Sequence, residues 1–419
     1  LKETWESLDT DFFTPLRATH INKTKIPLHP YSPREHQQKA LKSAHKHYAS
    51  HRLGKLIFPC GAGKSLTGYW IAQNLKSKRT LIAVPSLALV KQTLEVYLRE
   101  VTANNSSVKW LCICSDEGIG RSDDVLYKTN NLGIPTVTDI DYIKQWLQNN
   151  TDENVMVFTT YQSGKIIAEA SQEADFKFDL GIYDEAHKTV GSSKKLFSHL
   201  LFDKNIQVDK KVFMTATQRF YSGNKDDILS MDDESIYGKE FAMMSFKEAI
   251  QMEPPLLTDY KIITLEVTRN EIAEFIRENH LVQLDDRWGK ETETRSLASM
   301  IALRKAMSRF PIHNAVSFHG SIAKAKSCKE LQPHITKNYG YKQIDAFTVS
   351  GKLPTSKRDQ LIKEFASSDS ALITNAKCLT EGVDVPKIDC IVFSDPRRST
   401  IDIVQALGRA LRTKEGKDY

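Results

Sequence analysis

The sequence predicts an α/β protein of two domains, each built on a mostly parallel, doubly wound sheet. Three observations predict it. Apolar runs of strand length alternate with helical periodicity along both halves of the chain; the runs end in polar residues; and 419 residues exceed what one hydrophobic core normally holds. Parallel strands need crossover helices, and sheets of this kind bind ligands beyond the C-terminal ends of their strands. Residues at those ends are therefore the functional candidates.

Residues 1–30 are polar with aromatic punctuation (Trp5, Phe12, Phe13), end at Pro27 and Pro30, and are expected to form an extension lying on the first domain. YSPREHQQKAL (31–41) opens a helix after Pro33, running to about His51. KLIFPCGAGKSLTGYWIAQNL (55–75) reads as strand, glycine loop and helix, and TLIAVPSLALVKQ (80–92) as a strand that breaks at Pro85 into a helix Ser86 can cap. WLCIC is a buried strand and DIDYIKQWLQNN a helix; VMVFTTYQS (155–163), FDLGIYDEAH and KKVFMTATQR (210–219) are strands running into loops. The pattern loosens through SGNKDD and SMDDES to Pro254–Pro255, so the domains are placed at 31–235 and 256–419 with a linker at 236–255. Beyond it, DYKIITLEV (259–267) reads as a strand. Residues 270–310 are helical, with Leu297, Met300, Ile301, Leu303 and Met307 as the core face. NAVSFHGS, QIDAFTVSG, SALITNAK and DCIVFSDP are four more strands before the final helix, IDIVQALGRALR (401–412).

Composition narrows the class. With 40% hydrophobic and 26% charged residues the chain reads as globular, and a run such as LIAVPSLALV falls far short of the ~20 residues a membrane helix requires. The first residues have neither a basic start nor an apolar h-region, so no secretory signal and a cytoplasmic location are expected. Six cysteines without CxxC spacing read as thiols of a reducing compartment. A formal charge of +6, from 58 basic and 52 acidic residues, permits a nucleic-acid partner without demanding one.

The chemistry lies in two short stretches. In PCGAGKS (59–65), Gly61 and Gly63 let backbone N–H groups close round phosphate oxygens. Lys64 reaches the β- and γ-phosphates, and the Ser65 hydroxyl can ligate Mg²⁺ at a helix N-terminus. The longer GxxxxGK[ST] pattern would want glycine at 58, where this chain has Phe58. In GIYDEAHK (181–188), Asp184 can hold Mg²⁺ and Glu185 can activate water, although an acidic pair after a strand is by itself most often a helix cap. His187 is either a satisfied histidine at a helix start or a bond across a cleft to Gln405. Arg397 and Arg398 are a solvated basic pair or a phosphate contact. Ser86, Thr159, Thr160, Ser350, Gly351 and Thr380 sit at strand ends, where hydroxyls and N–H groups grip a nucleic-acid backbone or simply cap the chain.

The order and spacing of these motifs over residues 31–412 resemble the superfamily 2 helicases and translocases, which implies two tandem RecA-like domains with ATP in the cleft between them. Arg34 and Gln37 resemble the adenine-recognising stretch, PCGAGKS motif I, YDEAHK the DEAH-type motif II, and MTAT, with Thr215 and Thr217, the motif III that couples the ATP site to the nucleic-acid track. VSFHGSI is similar to motif IV, TEGVDVP to motif V with Gly382 and Asp384 near the ribose, and QALGRALR to motif VI with Arg409 and Arg412 as arginine fingers. VPSLALVKQ, MDDESIYGKEF, LLTDYKI and SDPRRS resemble motors of bacterial restriction and phage-defence systems, in particular single-polypeptide restriction-modification enzymes.

The resemblance implies ATP and Mg²⁺ as cofactors and a nucleic-acid-dependent ATPase acting as a DNA translocase or helicase motor. DNA is expected in preference to RNA, with no membrane partner. A nucleotide-gated switch, an RNA helicase and a protein translocase are the alternatives. Neither an NPPY-like methyltransferase motif nor a nuclease carboxylate–lysine set is found, and the chain stops seven residues after QALGRALR. An effector nuclease or other defence subunit is thus expected on another chain or in a missing module.

Overall fold

Two parallel sheets organise the chain, and the register of the first explains why residues far apart in sequence share one end. The computed structural model describes residues 28–114, 134–192, 196–221, 228–278, 290–350, 353, 355–375, 388–395, 403 and 406–408. Helix α1 (Glu35–His47) leads into β1 (Leu53–Ile57), α2 (Lys64–Asn74), β2 (Arg79–Val84), α3 (Leu87–Ala103) and β3 (Lys109–Ile113). Then come α4 (Ile140–Asn149), β4 (Val155–Thr160), α5 (Gly164–Glu173) and β5 (Phe178–Tyr183). A 3₁₀ turn (Ala186–Thr189), the short strand β6 (Gly191–Ser192) and a second 3₁₀ segment (Leu196–Leu201) precede β7 (Val208–Thr215). β8 (Ile228–Leu229), α6 (Glu234–Tyr237), β9 (Lys239–Met243) and α7 (Phe246–Gln251) follow.

The seven-stranded sheet has the order β3-β4-β2-β5-β7-β1-β9, and its strands pair in parallel. Successive side chains enter opposite cores: Ile82, Phe158, Ile182 and Met214 pack on one face with α1 to α3, while Leu81, Val157, Tyr183 and Phe213 pack on the other with α4 and α5. This is why these strands read as continuous apolar runs and not as alternating ones.

The second half contains α8 (Arg269–Glu278), α9 (Lys290–Arg309), β10 (Asn314–Phe318), α10 (Ile322–Tyr339), β11 (Asp345–Val349), α11 (Thr355–Ser367), β12 (Ala371–Asn375) and β13 (Cys390–Phe393). Its sheet has the order β11-β12-β10-β13, again parallel. Leu297, Met300, Ile301 and Leu303 of α9 are buried against Ala315 and Leu372 on one face, with Met307 half-buried beside them, and Val316, Phe318 and Ile373 pack on the other.

Two sequence expectations need correction. Residues 236–255 are not a free linker: β9 pairs with β1 at the edge of the first sheet, and Ala249, Leu256 and Leu257 are buried in the first core. An edge strand has one neighbour and buries few side chains, so KEFAM carries almost no periodic signal. Conversely, 259–267 forms no strand, and Ile262 is 84% exposed. Apolar composition makes a strand only where a neighbouring edge takes up its N–H and C=O groups. The extension at 1–27 lies outside the described residues. Among the described residues no helix is long and apolar enough to cross a membrane.

Candidate active site

The ends of five strands fall in line. Ile57 of β1 is opposite Thr215 of β7, Tyr183 of β5 is opposite both Phe213 of β7 and Ala83 of β2, and Val84 of β2 is opposite Thr160 of β4. Asp184 N–H donates to the Ala83 carbonyl at 2.9 Å, which carries the ladder one residue past β5. The glycine loop, the acidic stretch and the MTAT loop therefore all start on the C-terminal side of one sheet.

The loop between β1 and α2 needs its glycines for backbone reasons, because Gly61 and Gly63 have φ of 88° and 78°. A side chain at Gly63 would also collide with Gln37, whose Nε2 lies 2.6 Å from where a Cβ would stand. Gln37 is buried and braces the loop: its amide donates to the Gly63 carbonyl (3.3 Å) and to Thr67 Oγ1 (3.2 Å), while its Oε1 accepts from Arg34 N–H (2.9 Å). His36 Nε2 lies 3.0 Å from the Ala62 carbonyl, and Arg34 is exposed. Lys64 opens α2 and is buried, with Nζ donating to the Phe58 carbonyl at 3.3 Å. Ser65 is half-buried in the first helical turn, where unpaired N–H groups favour an anion.

Asp184 is buried, and Oδ1 accepts from Glu185 N–H at 2.9 Å. Burial above all, and then the Glu185 charge, push its pKa up to about 6, against the opposing pull of Lys64. The backbone at Glu185 is left-handed (φ 48°), a conformation that non-glycine residues rarely adopt and that recurs at functional sites. Tyr161 donates its phenol proton to the Asp184 carbonyl at 2.7 Å.

His187 is buried, with Nδ1 at 2.9 Å from Thr215 Oγ1 and 3.4 Å from Glu185 Oε2. Thr215 gives its one proton to the Thr217 carbonyl (2.9 Å) and accepts from Thr217 N–H (3.2 Å), so the bond to His187 requires Nδ1–H as donor. His187 thus stands between Glu185 and the loop after β7, with its one Nδ1 proton committed to Thr215. The expected alternative partner, Gln405, lies outside the described residues, as do Arg397, Arg398, Arg409, Arg412, Gly382, Asp384, Gly351 and Thr380.

Of the strand-end hydroxyls, Thr159 and Thr160 turn inward. Thr159, fully buried, donates to the Ile113 carbonyl (2.9 Å), and Thr160 pairs with Ser163 Oγ (3.1 Å). Both hydroxyls are engaged within the protein, that of Thr159 by the end of β3 and that of Thr160 by the turn after β4. Ser86 occupies the N-cap of α3, yet its hydroxyl caps nothing and is a buried atom without a partner. Ser350 is buried at the end of β11.

The second half reaches this site through residues 406–408. Ala406 packs in one core with Ala88, Val316 and Phe318, Leu407 packs on the first core, and Gly408 faces Cys60 of the glycine loop. Sequence reading missed His36, Tyr161 and Cys60; the adjacency of His36 to Gln37 was the one available signal.

Residues 30–220 match the family described as type III restriction enzyme, res subunit, and residues 299–414 the helicase conserved C-terminal domain. A probable helicase of African swine fever virus (Tick/Malawi isolate) is 26% identical over 88% of this chain and 38% of its own length. Among solved structures, the ATP-dependent Type ISP restriction-modification enzyme LlaBIII bound to DNA matches with a TM-score of 0.78 and 27% identity, over 93% of this chain and 27% of that one. A nuclease-deletion mutant of the Type ISP enzyme LlaGI in complex with a DNA substrate mimic matches at 0.64 and 25% identity, over 92% of this chain and 26% of that one. This chain therefore spans well under half the length of each of these relatives.

Proposed function

Because this chain belongs to the superfamily 2 helicases and translocases and resembles the motor of restriction-modification enzymes, we propose that it is a nucleic-acid-dependent ATPase that moves along DNA. The observation that carries the reading is the convergence of Lys64, Asp184 and Glu185 at one end of the first sheet, with Gly408 of the second half against Cys60 of the same glycine loop.

The donor set fits Mg²⁺–ATP. Asp184 offers a buried carboxylate and Ser65 a half-buried hydroxyl in the first turn of α2, the hard oxygen donors that suit a Mg²⁺ ion shared with substrate phosphates. Asp184 and Ser65 would be its protein ligands. When bound it would neutralise the β- and γ-phosphate oxygens.

Gly61 and Gly63 present backbone N–H groups to the phosphates, and Lys64 brings its ammonium to their β and γ oxygens. Glu185 orients the attacking water and takes its proton. Arg409 and Arg412 are assigned the task of offsetting charge that develops on the γ-phosphate. Gly382 and Asp384 are assigned to the ribose and Arg34 to the adenine, while Gln37 braces the loop. Loss of the γ-phosphate contact is passed through His187, Thr215 and Thr217 and releases the second half, which converts hydrolysis into movement. Ser86, with its unsatisfied hydroxyl, and Ser350, Gly351 and Thr380 supply backbone-phosphate contacts on the DNA track. An effector nuclease or other defence subunit would act as a partner.

Steady-state ATP turnover with and without single- and double-stranded DNA and RNA, at two salt concentrations, tests this. DNA should stimulate turnover, and Glu185→Gln should lower it about a hundredfold, the usual contribution of a general base. Turnover indifferent to both nucleic acid and the substitution would overturn the reading. Hydrolysis with no displacement of a triplex-forming strand would make the protein a nucleotide-gated switch.

A further inference from the structure

We propose that Gly408 is a positioning residue for this ATPase: its missing side chain sets how closely the segment leading into Arg409 and Arg412 approaches the glycine loop, with Cys60 as the opposing surface. The inference rests on the ATPase reading above and concerns one steric contact within it. A Cβ at Gly408 would stand 2.4 Å from Cys60 Cβ, 3.3 Å from Cys60 Sγ and 3.6 Å from Cys60 Cα.

Backbone geometry does not ask for glycine there. Gly61 and Gly63 have positive φ, but Gly408 is helical and absent from the positive-φ residues, and within a helix glycine is about 1 kcal/mol worse than alanine. The space beside Cys60 is what requires it.

The neighbouring residues hold the contact in place. Ala406 is buried in the core that holds Ala88 and Val316, and Leu407 packs against the core of the first half. Three consecutive residues thus touch the second half, the first half and the phosphate loop in turn. Restoring ordinary carbon–carbon separation of about 3.5 Å would need a shift of about 1 Å, and a displacement of that size in a catalytic constellation lowers rates by about a hundredfold. The next residue in sequence is Arg409, one of the two arginines the proposed hydrolysis uses. Cys60 would move too, and with it Gly61.

The test compares the 419-residue chain with Gly408→Ala, each Cys60 single variant and the double variants, with saturating DNA. Gly408→Ala should lower kcat about 30- to 100-fold while the affinity for a fluorescent ATP analogue changes less than about threefold. Cys60→Gly removes the opposing Cβ, so C60G with G408A should recover to within about threefold of C60G alone. Cys60→Ala keeps that Cβ, so C60A with G408A should stay impaired relative to C60A. Wild-type kcat in G408A, failure of C60G to rescue a folded double variant, or equal rescue by C60A would overturn the proposal.

A second measurement needs no activity. Gly408→Cys, oxidised with diamide, should form a disulfide with Cys60, because relaxation to a Cβ–Cβ separation of about 3.8 Å satisfies disulfide geometry. Absence of that crosslink by mass spectrometry overturns the contact itself. A crosslink in G408C together with a wild-type chain that never hydrolyses ATP overturns the ATPase reading, and with it the catalytic role of the contact.

Discussion

Replacing Asp184 by Asn is expected to lower Mg²⁺-dependent ATP turnover by about a thousandfold or more and, in the same protein, to raise the thermal midpoint measured in EDTA at pH 7.5. The two effects have one cause. Asp184 is buried at the end of β5 beside Glu185, and its pKa is raised from 3.8 to about 6. A carboxyl whose folded pKa is raised holds its proton better in the folded chain than in the unfolded one. Its contribution to stability is therefore fully present below pH 3.8 and lost as pH rises through 6. The ionised carboxyl therefore lowers the stability of the fold at neutral pH relative to a neutral side chain in its place.

Asn is neutral at every pH and its Oδ1 can still accept from Glu185 N–H, so the gain should be large at pH 7.5 and shrink towards pH 5. The same neutrality would remove the charge proposed to hold Mg²⁺, which is why turnover is expected to fall. Scanning fluorimetry at the two pH values gives the comparison. A lower midpoint for the variant at pH 7.5 would mean that the fold holds the Asp184 charge favourably, against the argument.

Lys211→Ala should cost about 3 kcal/mol of stability, read from denaturant midpoints, with Lys211→Met recovering about half of the loss. Lys211 lies on β7 with its side chain buried, and Nζ donates to the Leu201 carbonyl (2.6 Å) and to Asp203 Oδ1 (2.6 Å). Its own carbonyl accepts from Tyr48 Oη at 2.9 Å. Truncation leaves a cavity along the aliphatic stem and an unpaired carbonyl. Asp203 is half-exposed and keeps Arg52 at 3.1 Å, so its charge stays solvated and the loss falls at the lower end of the range for buried pairs. A midpoint shift below about 1 kcal/mol would show that water replaces the ammonium without difficulty.

The glycine loop and the acidic pair were legible because each is local. Gly61, Gly63, Lys64 and Ser65 act within one loop and one helical turn, and Asp184 and Glu185 are consecutive, so residue type and spacing carry their geometry. The central strands were legible for a related reason: burial on both faces makes each of them an unbroken apolar run. The edge strand β9 was not, because a single neighbour leaves it partly exposed. The strand expected at 259–267 failed because composition cannot supply a pairing edge.

The sequence by itself determined the alternating α/β class, the phosphate loop and the acidic pair, all of which depend on residues close together along the chain. Only the tertiary structure decided the strand order, which puts β7 between β1 and β5 and so brings Thr215 to His187. It also decided that Gln37 braces the loop, that Thr159 spends its hydroxyl on the neighbouring strand β3 and Thr160 its own on the turn after β4, and that Gly408 abuts Cys60. Each of these depends on which distant segments become neighbours, and that is settled by burying two sheets' faces at once, beyond the reach of any local pattern.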